Sequence, residues 1–239
     1  MLEIRKADER GHLEHGWLSS WHTFSFGHYH EPTQVGFSDL LVINEDRIKP
    51  GKGFGMHSHQ DMEIFTYVLA GALEHKDSMG TGSVIRPGDV QIMSAGTGVT
   101  HSEFNHSLSE SVHLLQIWLT PKQKGLPPRY EQAHFSADEK RGKLRLILSP
   151  EAEEGSLTIH QDARIYAGLL TGAESATLNL AAQRYAYVHA AKGSVQVNQQ
   201  TLQAGDGVRI RNERLLSFTA AQEAEILVFD LRARELPDL

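Results

Sequence analysis

Apolar side chains in this chain recur mostly at every second position, in runs too short for helices and closed off by Gly, Pro, Asn or Asp. Phe37 to Asn44 (FSDLLVIN), Glu63 to Gly71 (EIFTYVLAG), Asp89 to Gly96 (DVQIMSAG), Val112 to Leu119 (VHLLQIWL), Ala186 to Gly193 (AYVHAAKG) and Glu225 to Leu231 (EILVFDL) are examples. Successive side chains of a strand point to opposite faces, so such runs suit sheets that bury one or both faces. Short strands with turn signals between them imply a β-sandwich or barrel. The long helical segments that a parallel α/β sheet needs between its strands are missing. The fold class is therefore all-β, with one short helix expected around Ser136 to Arg141.

The chain also repeats a unit. LAGALEHKD and VIRPGDVQIMSAG in the first half are matched by HAAKGSVQVNQ and TLQAGDGVRIRNE in the second. Each reads as strand, Gly turn, strand, Gly-Asp turn, strand, so that Gly71 matches Gly193 and Gly88-Asp89 matches Gly205-Asp206. Gly-Asp turns are common in β proteins, but two elements matching in order point to two copies of one β unit. A length of 239 residues is enough for two domains. The break is expected between Pro121 and Ser136, where KQKGLPPRYEQ is polar and rich in Gly and Pro, dividing the chain into residues 1–132 and 133–239.

The absence of cysteine excludes disulfides, Cys-based zinc sites, Fe–S clusters and thiol catalysis, so any metal must sit on nitrogen and oxygen ligands. A net charge of -7 gives direct contact with nucleic-acid phosphates no electrostatic support, while leaving room for a protein partner. The N-terminal MLEIRKADERGH is charged from its third residue and lacks the apolar core of a signal peptide. No apolar run approaches the roughly 20 residues that span a bilayer. A cytoplasmic protein is expected, with no membrane association.

Of the 14 histidines, two segments bring several together. In GFGMHSHQDME, His57 and His59 share one face of a strand, next to glycines at 53 and 55. In SAGTGVTHSEFN, His101 and Glu103 do the same after Gly96 and Gly98. Three imidazoles and a carboxylate suit a divalent transition metal with open coordination positions. Glu63 shares strand parity with His57 and His59, and spacing alone does not choose between it and Glu103. On the strand VHLLQIWL, Leu114, Gln116 and Trp118 share one face, and a buried Gln116 would need a partner. Trp21, His22, Phe24 and Phe26 are expected in the core or a pocket wall, His75 on a hairpin surface, and the runs ADER and EAEE on solvated faces. His189 stands alone on its strand, so the second half is expected to be structural and to bury a face of the first.

The pattern H-x-H-x3-E-x7-G (His57, His59, Glu63, Gly71) followed by G-x-G-x2-H-x3-N (Gly96, Gly98, His101, Asn105) resembles the two cupin motifs. It departs from them in having Gly96 where many cupins have Pro, and one extra residue after Glu63. More specifically, GWLSSWHTFSFGHY, GFGMHSHQDMEIFTYVLAG, HKDSMG, PGDVQIMSAGTGVTHSEFN and LLQIWL, which span most of residues 16–119, are similar to the pirin family. That resemblance implies a bicupin of two stacked barrels, with one metal ion in the N-terminal barrel and none in the C-terminal one. It implies His57, His59, His101 and Glu103 as ligands, with Glu63 outside the ligand set. The ion would be Fe, Ni, Co, Cu or Mn, with iron favoured. The resemblance implies in turn a metal-dependent dioxygenase that cleaves flavonols such as quercetin with O2, Glu103 serving by analogy as both ligand and base. A different enolic substrate, or a metal-containing regulator that binds a protein partner as eukaryotic pirin does, are the other roles it allows. A monomer is expected.

Overall fold

The computed structural model describes residues 1–236, and these form three sheets and one short α-helix. The first half contributes β1 (Leu2–Arg5), β2 (Gly11–Glu14), β3 (Leu18–His22), β4 (Leu40–Ile48), β5 (Gly53–His59), β6 (Glu63–Ala70), β7 (Leu73–Asp77), β8 (Gly82–Ile85), β9 (Asp89–Ser94), β10 (Val99–Asn105), β11 (Val112–Leu119) and β12 (Arg129–His134). The second contributes β13 (Leu144–Ser149), β14 (Leu157–Thr158), β15 (Ala163–Leu170), β16 (Ala176–Asn179), β17 (Arg184–Val197), β18 (Gln200–Gln203), β19 (Gly207–Ile210) and β20 (Leu215–Arg232). The expected helix is Ala137–Lys140, α1, started by a capping box in which Ser136 and Glu139 satisfy each other's backbone N–H. No helix of the described residues is long and apolar enough to cross a membrane.

A seven-stranded sheet ordered β12-β9-β6-β11-β4-β3-β2 faces a four-stranded one ordered β5-β10-β7-β8. Two apolar clusters lie between them, one around Ile48, Val68, Leu73 and Leu114, the other around Ile64, Met93 and Val99. The remaining sheet, ordered β1-β19-β17-β20-β15-β13-β14 with β16 and β18 attached to it, builds the second barrel. The outer face of the seven-stranded sheet is apolar as well. Phe65, Tyr67, Leu115, Ile117 and Leu119 pack on Ile165, Ala167, Tyr187, Leu227 and Phe229, so the largest core lies between the two barrels. Strands buried on both faces explain why runs such as EIFTYVLAG and VHLLQIWL carry apolar residues at both parities. The second half thus covers a face of the first, as expected.

The internal repeat is visible in detail at the two Gly-Asp turns. Gly88 and Gly205 both take positive φ, +95° and +86°. Asp89 accepts from the Arg86 N–H at 2.9 Å, and Asp206 from the Gln203 N–H at 3.0 Å. Each turn then returns its chain to pair with the corresponding strand, β9 with β6 and β19 with β17.

The two halves are less separable than their sequences imply. β1 pairs with β19, Leu2 opposite Ile210, so the first strand of the chain is an edge strand of the second barrel. The region expected to be a break contains β12, which pairs with β9 along its full length, and a cut after residue 132 falls inside it. Side chains also tie the halves together. Tyr67 donates to Glu225 at 2.7 Å, Lys192 reaches Glu225 at 2.8 Å, and the buried Lys140 reaches the Tyr67 hydroxyl at 3.2 Å. Asp39 accepts from Arg232 and Arg234. Within ADER, Arg10 is not solvated: its guanidinium is buried against Glu45 at 2.9 Å.

Candidate metal centre

β5 and β10 run antiparallel with His57 directly opposite His101 and His59 opposite Val99. A bulge between His101 and Glu103 inserts one extra residue of β5 and keeps both residue pairs on the inner face. The ring centroids of His57, His59 and His101 lie 4.4 to 4.9 Å apart, and their ligand atoms fall within 4.8 Å of one another. Glu103 is buried and lies within the same distance of His101 and His75. Among the described residues, clusters of this kind occur only here.

Glu63 is not part of this cluster. The turn after β5 sends it into the seven-stranded sheet on the outward face, where its carboxylate accepts from Ser94 Oγ and the His160 backbone N–H, both at 3.0 Å. The shared parity with His59 is broken because the chain changes sheets between the two residues.

The donors are prepared for a cation. The Nε2 atoms of His59 and His101 are buried and have no hydrogen-bond partner among the described residues. Burial, reinforced by the neighbouring histidines, pushes the pKa of His101 down to about 2, and burial with His57 pushes His59 to about 4, so both present lone pairs at neutral pH. His57 Nδ1 donates to the Gly55 carbonyl at 2.8 Å, which leaves its Nε2 as the free ring nitrogen. A divalent ion satisfies these otherwise orphaned nitrogens, so the residues fit one.

Two supporting groups escaped the sequence reading. His75 is fully buried rather than on a hairpin surface, because β7 lies inside the four-stranded sheet and places it opposite Glu103. Its Nε2 donates to Asp77 Oδ2 at 3.0 Å, so its Nδ1 accepts from His101 Nδ1 at 3.4 Å. That chain fixes the His101 tautomer with Nε2 bare. The H-x-D spacing of His75 and Asp77, in register with H-x-E, was the available signal.

The opposing sheet holds Glu103. Facing inward, its strands read apolar, polar, apolar: Ile64, Thr66, Val68 on β6 and Trp118, Gln116, Leu114 on β11. The polar residues align across strands, His22 beside Asn44, Asn44 beside Gln116, Gln116 beside Thr66. Gln116 donates to Glu103 Oε2 at 2.7 Å, Thr66 to Glu103 Oε1 at 3.4 Å, and Thr66 also to Gln116 at 3.0 Å. Burial, then the charge of Asp46, raises the Glu103 pKa to about 7, against the lowering effect of those hydrogen bonds. Gln116 therefore faces the site.

Beside this cluster is a cavity of about 300 Å³, lined in part by Trp17, His22, Phe26, Asn44, Asp46 and Phe54. Phe54 lies 6.3 Å from His57, and Phe26 packs on Trp118, which in turn packs on His59 at 4.9 Å. The second half has no comparable arrangement among its described residues: His189 is buried alone, between the barrels.

Comparison with known proteins agrees with this architecture. A family model described as Pirin matches residues 3–119, and one described as Quercetinase C-terminal cupin domain matches residues 146–231. The Escherichia coli (strain K12) protein named quercetin 2,3-dioxygenase is 49% identical over 231 residues, 97% of this chain and 99% of its own. A pirin-like protein of Caulobacter vibrioides is 37% identical over 231 residues, 96% of this chain and 99% of its own. Among solved structures, bacterial pirin YhhW from Escherichia coli in complex with nickel(II) superposes with a TM-score of 0.93 at 47% identity, covering 98% of this chain and 100% of that one.

Proposed function

Since the chain belongs to the pirin family, a bicupin of two stacked barrels, we propose that it is a metal-dependent dioxygenase that cleaves a flavonol such as quercetin with O2. The observation that carries this reading is the convergence of His57, His59 and His101, with the buried Glu103 carboxyl close to His101, beside an aromatic-walled cavity. In this reading His57, His59, His101 and Glu103 hold one divalent ion, and the second barrel holds none. The first barrel then does the chemistry, and the second, with β1 lent to it, braces the seven-stranded sheet. The protein acts as a monomer, and its partners are the flavonol and O2.

The ion supplies a Lewis acid that makes a bound hydroxyl more acidic. Glu103 takes the proton of the flavonol 3-hydroxyl. Without an ion, burial raises its pKa to about 7, and a bound cation would favour the ionised carboxylate that receives the proton. Gln116 donates to one oxygen of the carboxyl and Thr66 to the other, which holds the group in place. His75 and Asp77 keep His101 oriented. The apolar residues on either side of the polar belt, Ile64 and Trp118 on one side, Val68 and Leu114 on the other, exclude water from the carboxyl.

The test is O2 uptake and loss of the flavonol spectrum with metal-quantified protein and quercetin. Metal-dependent uptake is expected, falling about 10²- to 10⁴-fold in Glu103→Gln with metal content retained. Stoichiometric metal with no O2 consumed overturns the reading and turns the search to a protein partner.

A further inference from the structure

The polar belt of the first barrel is only half used by Glu103. Gln116 and Thr66 are bonded to that carboxyl, whereas their neighbours on the same wall each keep one buried polar atom without a partner. His22 Nδ1 and Asn44 Oδ1, and on the adjacent row Asp46 Oδ1, are buried with no hydrogen-bond partner among the described residues. Their parent residues are only 3 to 4% exposed. All three line the 300 Å³ cavity, on the β3–β4 wall where His22 pairs with Asn44 and Ser20 with Asp46. Buried polar atoms are normally satisfied, and three orphans converging on one concave space mark a place where a ligand's polar groups complete them.

The opposite character of the remaining wall narrows that ligand. Trp17 and Phe54 meet edge to face at 5.2 Å, and Phe26 stands against His22 at 5.4 Å. Such rings receive a flat aromatic body, while a carbonyl oxygen and a carboxyl oxygen ask for hydroxyl donors. On the dioxygenase reading, we infer that His22, Asn44 and Asp46 form a hydroxyl-reading wall that selects polyhydroxylated aromatic substrates over analogues lacking those hydroxyls. These residues hold the substrate away from its reacting hydroxyl, which belongs to Glu103. They act as specificity determinants and receive no proton from the substrate. A ligand without the hydroxyls leaves the three atoms buried and unpaired, and the resulting discrimination exceeds what a purely apolar pocket achieves.

The test uses two probes: quercetin, and 3-hydroxyflavone, which keeps only the reacting hydroxyl. Their affinities for the metal-loaded protein are measured by anaerobic equilibrium dialysis, so that nothing turns over. Wild-type protein is expected to prefer quercetin by roughly ten- to a hundredfold. Asp46→Leu and Asn44→Leu are each expected to narrow that preference about tenfold by weakening quercetin alone. A merely structural role weakens both probes equally. Asp46→Asn, which keeps an acceptor and the side-chain shape, is expected to retain most of the preference, and His22→Phe serves if a leucine variant fails to fold. No preference in the wild type, or an unchanged preference in the variants, overturns the inference. O2 uptake on the same samples separates it from the dioxygenase reading. A hydroxyl preference without uptake leaves the wall standing and removes the dioxygenase, and uptake with an unchanged preference does the reverse.

Discussion

Asp77 has no contact with the proposed ion, yet it determines which nitrogen His101 offers. Its carboxylate accepts from His75, and His75 in turn accepts from His101. Asp77→Asn presents an amide in place of the acceptor oxygen or at best a weaker one, and lets the His75 and His101 rings exchange tautomers. Metal affinity is expected to fall about 10- to 100-fold, read by competition with a chromophoric chelator. An unchanged affinity would mean that packing alone orients His101. The four residues proposed as ligands were legible in the sequence because two H-x-[H/E] pairs declare their own face by period-2 spacing. His75 and Asp77 obey the same spacing but carry no glycine-rich turn, and nothing local separates a buried H-x-D hairpin from an exposed one.

At the scale of strands, the close approach of β5 to β10 depends on Gly53. A Cβ there would stand 2.2 Å from the Glu103 carbonyl oxygen and 2.5 Å from the Phe104 Cα, backbone atoms that cannot step aside. Gly53→Ala is expected to destabilise the protein by about 1 to 3 kcal/mol and to loosen metal binding, seen as a lower thermal midpoint and a higher metal Kd. Gly55, two residues on, meets nothing within 4 Å, so Gly55→Ala is the matched control and should stay within about 0.5 kcal/mol of wild type. The two glycines look equivalent in the sequence, and only the pairing of β5 with β10 tells them apart. The exchanged strand β1 makes a second prediction. Removing residues 1–5 uncovers the Gly207–Ile210 edge, and an uncovered edge pairs with other chains. The truncated protein is expected to self-associate in sedimentation velocity at concentrations where the full chain does not.

For the molecule as a whole, the apolar core shared by the two barrels implies one cooperative unfolding transition rather than two. His189 sits in that interface, fully buried, with Arg10, Glu45 and Asp206 as its charged surroundings. Burial, with help from Arg10, lowers its pKa to about 3. The folded state therefore favours the neutral ring. Its contribution is fully present above pH 6.5 and is lost as pH falls from 6.5 towards 3, at about 1.4 kcal/mol per pH unit. In His189→Gln that part of the acid slope is expected to vanish in a pH series of denaturant melts. An unchanged slope would assign the acid sensitivity to other groups. Chelating the metal should lessen the slope in wild type, because a bound ion keeps the proposed ligand rings unprotonated in the folded state more firmly than burial alone.

The sequence alone determined what depends on neighbours a few residues apart. Alternating apolar residues set the strands, the two Gly-Asp turns set the internal repeat, and paired spacing put His57 with His59 and His101 with Glu103. The tertiary structure decided everything that depends on which strand lies beside which. It carried Glu63 into another sheet, lent β1 to the second barrel, made Arg129–His134 a strand, buried His75, and lined up His22, Asn44, Gln116 and Thr66 across four strands. The physical reason is that a period of two specifies a face but not a partner. Register between strands that lie tens of residues apart is set by turn geometry and by the packing of whole sheets, and the polar belt exists only once that register has formed.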